Sequence, residues 1–280
     1  MTFNYIAAKK VFDCKSLIEE KLPIALDIGV QTPSISRDVI EKYIKIKDLS
    51  SKQEYFYKKI LHNENFTTKD FFLALGYDDY FSIDINGADN SFQFDLNYDL
   101  SEKYNFNKKF DLVINNGTGE HVFNQFSLFK NIHQITKNNG IMLHILPFID
   151  WINHGFYNFN PILFADLAAS NHYEILDIIL ANRNGGEVFL NNKKKLNKFY
   201  EQVKPNYESK LKEFIKLAKK NLNENILLVV TLRKTINNNF CIPLQGKYLA
   251  DLSDSNEYSN QSSGSSNAFG QEMDSIKRVK

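Results

Sequence analysis

The sequence predicts an α/β chain built around a mostly parallel sheet. Short apolar runs alternate with stretches of helical spacing. The run Leu112-Val-Ile114 is too short for a helix, and it stops at the polar, glycine-bearing loop Asn115-Asn-Gly-Thr-Gly119. Three other predicted strands end on a glycine or an acid. Such strand ends are where open α/β sheets bind their ligands.

Pro23–Gly29 reads as the first strand. Residues 36–75 have helical spacing: Val39, Ile40, Tyr43 and Ile44 share one face, as do Phe56, Ile60 and Leu61. Thr67 or Thr68 supplies an N-cap there, with Asp70 in the first turn, and Gly76 closes the helix. Tyr80–Ile85 is a second strand, Gln93–Leu96 a short third and Asp111–Asn115 the fourth. A helix over 120–136 carries Phe123, Phe126, Phe129 and Ile132 and stops at Lys137-Asn-Asn-Gly140. Gly140–Pro147 is the fifth strand, and Pro161–Ser170 is a helix with proline in its first turn. Tyr173–Leu180 and Ile226–Arg233 are the sixth and seventh strands. Between them lies a lysine-rich amphipathic helix over 193–220. One domain is expected over 1–250, with helical insertions at about 34–75 and 185–222. Residues 253–280 turn to Ser and Asn without periodicity and are expected to be a disordered tail.

The 280 residues carry 34 basic and 33 acidic side chains, a net charge of +1. No global field attracts nucleic acid, which argues against it as a partner. No apolar run approaches the ~20 residues that span a bilayer, so no membrane partner is expected. Two distant cysteines, Cys14 and Cys241, read as free thiols of a reducing compartment, and a cytoplasmic protein is expected. No His or Cys pair has metal-ligand spacing, so no metal site is expected.

The strand ends, in order, are Asp27-Ile-Gly29, then Asp84, then Asp95, then the loop 115–119. A glycine after a strand lets a ligand approach the backbone. A carboxylate at a strand end can accept ribose hydroxyls. That order describes a site for an adenosine-bearing ligand along one sheet edge.

On these residues the chain resembles the class I S-adenosylmethionine-dependent methyltransferases. The strand Phe110–Asn115, the helix after it and the strand Asn139–Pro147 match the middle of that fold. The likeness covers roughly residues 22–248. It implies a seven-stranded, mostly parallel Rossmann-like sheet with helices on both faces and the last strand antiparallel. It implies S-adenosylmethionine as cofactor, with Asp27, Gly29 and Gln31 in the first motif, Asp84 on the ribose and Asp95 on the adenine side. Asn115, Asn116 and Gly117 would flank the methionine end. Two positions where the family carries glycine hold Gln31 and Pro33. Asp27 and Asp84 also lie much farther apart than the roughly 20 residues of such units.

Glu120, His121 and His154 then face the sulfonium end, as candidates for proton removal or substrate orientation. Trp151, Phe156, Tyr157 and Phe159 either wall a pocket or pack a long loop. The expected activity is O- or N-methyl transfer to a small molecule or glycan, with an anionic sugar substrate suggested by the basic helix. The altered first motif supports a second reading, a binding or assembly subunit with the fold and no activity.

Overall fold

A computed structural model describes residues 2–44, 49–62, 65–183, 187–189, 216, 219–220 and 225–245. Short β1 (Thr2–Phe3) pairs in parallel with β3 (Thr32–Pro33) beside the main sheet. Between them, α1 (Tyr5–Leu17) leads into β2 (Ile24–Asp27). Asn4 caps α1, its side chain accepting from the Ala7 amide at 3.2 Å. Three helices follow: α2 (Arg37–Tyr43), α3 (Ser51–His62) and α4 (Thr68–Ala74). Thr67 forms a reciprocal capping box with Asp70 on α4, as the sequence predicts. Gly76 takes φ +90° after that helix, a conformation that favours glycine.

The remaining elements are β4 (Asp79–Ser82), α5 (Leu100–Tyr104), β5 (Phe110–Asn116), α6 (Gln125–Ile135), β6 (Thr136–Ile149), α7 (Pro161–Asn171), β7 (Tyr173–Ala181), β8 (Glu187–Phe189) and β9 (Ile226–Lys234). The sheet order is β4-β2-β5-β6-β9-β7-β8. β2 runs parallel to β4 and β5, and β5 parallel to β6. β9 is inserted antiparallel between β6 and β7. This is the mostly parallel sheet with an antiparallel last strand that the sequence predicts. It has six substantial strands, and the three-residue β8 makes a seventh at the far edge.

The expected third strand is a correction. Gln93–Leu96 does not join the sheet, and only a single parallel bridge, Ile83 to Phe92, forms there. Asp95 Oδ1 accepts from the Asn97 amide at 2.9 Å and from Asn97 Nδ2 at 2.8 Å, turning the chain away from a ladder. Phe92 and Phe94 stack instead, Phe106 packs against both at a steep angle, and Phe94 stacks on Tyr104 at 4.4 Å.

Every residue of β5 is buried, as a central parallel strand requires. Its alternate side chains feed two cores. Leu112 and Ile114 join Ile6, Val11, Phe71 and Phe72 on the side of α1 and α4. Val113 joins Leu128, Ile132, Phe164 and Leu167 on the side of α6 and α7. Helices therefore cover both faces. The start of α6 also differs from the expectation. Gly119–His121 is one 3-10 turn, and the α-helix begins only at Gln125, because Asn124 caps it by accepting from the Ser127 amide at 3.1 Å. Glu120 and His121 thus sit on a loop. The lysine-rich helix over 193–220 lies almost wholly outside the described residues, and the tail 253–280 entirely so.

Candidate active site

β2, β4, β5 and β6 run in parallel, so the loops that follow them share one edge. After β2, Gly29 meets Thr118 of the loop after β5. A Cβ on Gly29 would run into Thr118 Oγ1, so any larger residue there must displace the Thr118 side chain. Gln31 is buried and ties the same two loops. Its Nε2 donates to the Asn116 carbonyl at 2.9 Å, and its Oε1 accepts from Asn116 Nδ2 at 3.3 Å. The Gln31 carbonyl accepts from Thr68 Oγ1 at 2.7 Å, which fixes the loop to α4.

Asp84 follows β4 and is half-buried. Its Oδ2 accepts from the Val30 amide at 3.1 Å, and its Oδ1 from the Asn86 amide at 3.2 Å. The carboxylate therefore reaches across to the first loop. Asp95 is engaged by Asn97, whose Oδ1 in turn accepts from the Asn124 amide at 2.9 Å. Asp27 is fully buried, and burial pushes its carboxyl well above the usual range. Among the described residues its side-chain oxygens meet only the nearby backbone amide of Gly29. Asn116 Oδ1 is a buried acceptor without a donor among them.

The loop after β5 is shaped from within. Asn115 Oδ1 accepts from the Gly119 amide at 2.9 Å, and its Nδ2 lies 3.3 Å from His144 Nδ1. Asn115 is thus a loop-forming residue turned into the protein. Gly117 adopts φ +66° and donates to the Ile145 carbonyl at 3.0 Å. His144 is buried among Phe129 and Phe164, and burial pulls its imidazole down to about 3.

Glu120, His121 and His154 come together although the last lies far along the chain. Glu120 Oε1 is 3.3 Å from His154 Nε2 and 3.9 Å from His121 Nε2. The Glu120 carbonyl accepts from the Phe156 amide at 2.8 Å, which locks the two loops together. Gly155 permits that approach, since a Cβ there would stand 2.9 Å from Glu120 Cγ. Burial raises the Glu120 carboxyl to about 7 and lowers both imidazoles. His154 packs on Trp151 at 4.8 Å, and Trp151 Nε1 donates to the Ile226 carbonyl at 2.9 Å.

The aromatics of the 150–160 loop divide. Trp151 and Phe159 are buried packing residues, whereas Phe156 is 69% exposed and meets Phe123, itself 71% exposed, edge-on at 5.9 Å. Thr118 and Arg183 escape a sequence reading. Thr118 is recognisable only from its contact with Gly29. Arg183, whose guanidinium lies 4.8 Å from the Trp151 ring, follows β7 with no motif around it.

No protein-family model matches the chain, and no curated protein does. Solved structures of similar architecture are found. TehB from Haemophilus influenzae is 13% identical with a TM-score of 0.41, over 81% of this chain and 62% of TehB. The chain thus spans less than two thirds of TehB's length. Burkholderia thailandensis 1,6-didemethyltoxoflavin-N1-methyltransferase, solved with that compound and S-adenosylhomocysteine, is 13% identical with a TM-score of 0.43, over 83% of this chain and 78% of its own. A putative sarcosine dimethylglycine methyltransferase from Galdieria sulphuraria is 9% identical with a TM-score of 0.41, over 84% and 85%.

Proposed function

We propose that the chain is an S-adenosylmethionine-dependent methyltransferase acting on a small molecule or a glycan, at oxygen or nitrogen. The observation that carries this reading is one sheet edge bearing two sets of groups. Asp84, Asp27 and Asn116 stand at the ends of β4, β2 and β5, and Glu120, His121 and His154 stand one loop further on.

The first set suits the cofactor in two respects. Asp84 is half-buried, so its carboxylate keeps an open side toward ribose hydroxyls. Among the described residues Asn116 Oδ1 has no donor and Asp27 has only the Gly29 amide, so the ammonium of an amino acid group would supply a missing donor. Asp95, after the bridge at Phe92, takes the adenine side. When bound, S-adenosylmethionine supplies an electrophilic methyl group. The chain's own part is to align the acceptor and receive its proton. His154, held by Trp151 and Glu120, is placed for the second task, with His121 beside it. Exposed Phe123 and Phe156 offer apolar rings to the acceptor's flat face. The lysine-rich segment 193–220 supports an anionic sugar among the candidate substrates.

The test is calorimetric titration with S-adenosylhomocysteine, followed by turnover in His154→Ala. That variant is expected to lose turnover and keep cofactor affinity. Wild-type turnover would make His154 a packing residue. One observation favours the second reading, a binding or assembly subunit. Thr118 fills the space over Gly29 that a ligand would need, and Gln31 stitches the loop shut. On that reading no cofactor binds at all.

A further inference from the structure

Glu120 is a fully buried carboxyl whose Oε2 has no hydrogen-bonding partner among the described residues. An acid so placed is costly unless something positive meets it. The groups beside it are two imidazoles, presented by two different loops. The ligand atoms of Glu120, His121 and His154 all lie within 4.8 Å of one another, and the two shorter separations are 3.3 and 3.9 Å. Two atoms bound at ~2.1 Å to one ion stand ~3.0–3.4 Å apart at octahedral or tetrahedral angles. Small side-chain rotations close the remaining gap.

We infer that Glu120, His121 and His154 form a binding site for one divalent first-row transition-metal ion. Two imidazoles and one carboxylate favour zinc, cobalt, iron or manganese over magnesium, which takes oxygen ligands and water. The site is supported as metal sites are. The Trp151 ring backs the His154 imidazole, and the backbone bond from Phe156 to the Glu120 carbonyl fixes the relative position of the two loops. The His121 side chain is 48% exposed and that of His154 27%, so the ion's remaining positions face solvent. Arg183, whose guanidinium lies 4.8 Å from the Trp151 ring, is a like charge that works against the ion. The open positions take water or an acceptor oxygen beside Phe123 and Phe156. A hydroxyl held there loses its proton to solvent more readily, so with the ion bound His154 serves as a ligand and not as the proton acceptor. That use alone rests on the methyl-transfer reading, and the ion site stands without it.

Untagged full-length protein, stripped with chelator, is titrated with Zn²⁺ by calorimetry and with Co²⁺ by visible absorption. One equivalent is expected to bind, with cobalt bands changed from those of the hydrated ion, and magnesium is expected not to compete. His121→Ala, His154→Ala and Glu120→Gln should each weaken binding by at least about tenfold. His62→Ala, on exposed α3, should not. Circular dichroism checks folding, and His121→Ala, at a half-exposed loop position, keeps the test valid if Glu120→Gln unfolds. No saturable binding, or unchanged affinity in the His121→Ala/His154→Ala double variant, overturns the site. S-adenosylhomocysteine titrated separately reads the cofactor site, so the failure of either leaves the other readable.

Discussion

At the scale of single residues, the first loop is held by contacts a ligand motif would not require. Gly29 is needed because Thr118 stands against it. Gly29→Ala forces a Cβ into that side chain and should cost about 1–3 kcal/mol. Thr118→Ala should restore much of the loss, because it removes the hydroxyl that is struck. Chemical denaturation of the four members of that cycle measures the coupling; strictly additive effects would mean the loops part freely. Asp84 is different in kind. Its carboxylate holds the Val30 amide and faces outward. Asp84→Ala should abolish S-adenosylhomocysteine binding while the chain stays folded, and unchanged affinity would remove Asp84 from the ribose. The sequence made Asp84, Asp95, Glu120 and His154 recognisable as polar groups at strand ends. It did not reveal that Gln31 and Asn115 turn inward, since both are small amides whose partners, Asn116 and His144, are chosen by loop geometry.

At the scale of elements, periodicity is a good guide where packing and local preference agree. β5 falls where expected, whereas β6 begins at Thr136, four residues before the expected Gly140, and takes in the Lys137-Asn-Asn-Gly140 stretch. Thr67 and Asp70 announce α4 because both members of the box are visible in sequence. Gln93–Leu96 misleads because alternation is present while the side chain of Asp95 bonds its own turn. The helix after β5 starts late because Asn124, not Glu120, carries the cap. Its side chain accepts from Ser127 and donates to the Asn97 carbonyl at 3.0 Å. Asn124→Ala should cost about 1 kcal/mol, lowering the melting temperature by ~2–4 °C. Thermal melts of the two proteins decide this, and an unchanged midpoint would show that the cap contributes nothing to global stability.

At the scale of the whole molecule, stability is tied to pH through buried imidazoles. Burial holds His144 down to about 3 and His133 down to about 4. His133 bonds Tyr173 and the Asn238 carbonyl, and His144 sits in the core beneath the β5 loop. In the unfolded chain both titrate near 6.5. Between about 6.5 and about 4 the unfolded state therefore takes up protons that the folded state refuses. Stability from these groups is fully present above pH 6.5 and lost as pH falls through that window. The raised Glu120 and Asp27 carboxyls act with the opposite sign, so the test is a difference: urea midpoints between pH 7 and pH 4.5 should fall less steeply in His144→Asn than in wild type, and equal slopes would contradict the burial of His144. The global architecture was readable because sheet order follows from alternating elements. The resemblance set Glu120, His121 and His154 at one end of the site, but their direct contact was not readable, because it depends on how two separate loops pack at the sheet edge.

A methyltransferase with this fold must hold an adenosyl cofactor at this edge despite Gln31, Pro33 and the press of Thr118 on Gly29. Calorimetric titration of the wild-type chain with S-adenosylhomocysteine tests it most directly. Saturable binding of one equivalent is the expected result, and no binding heat at millimolar ligand would contradict the account.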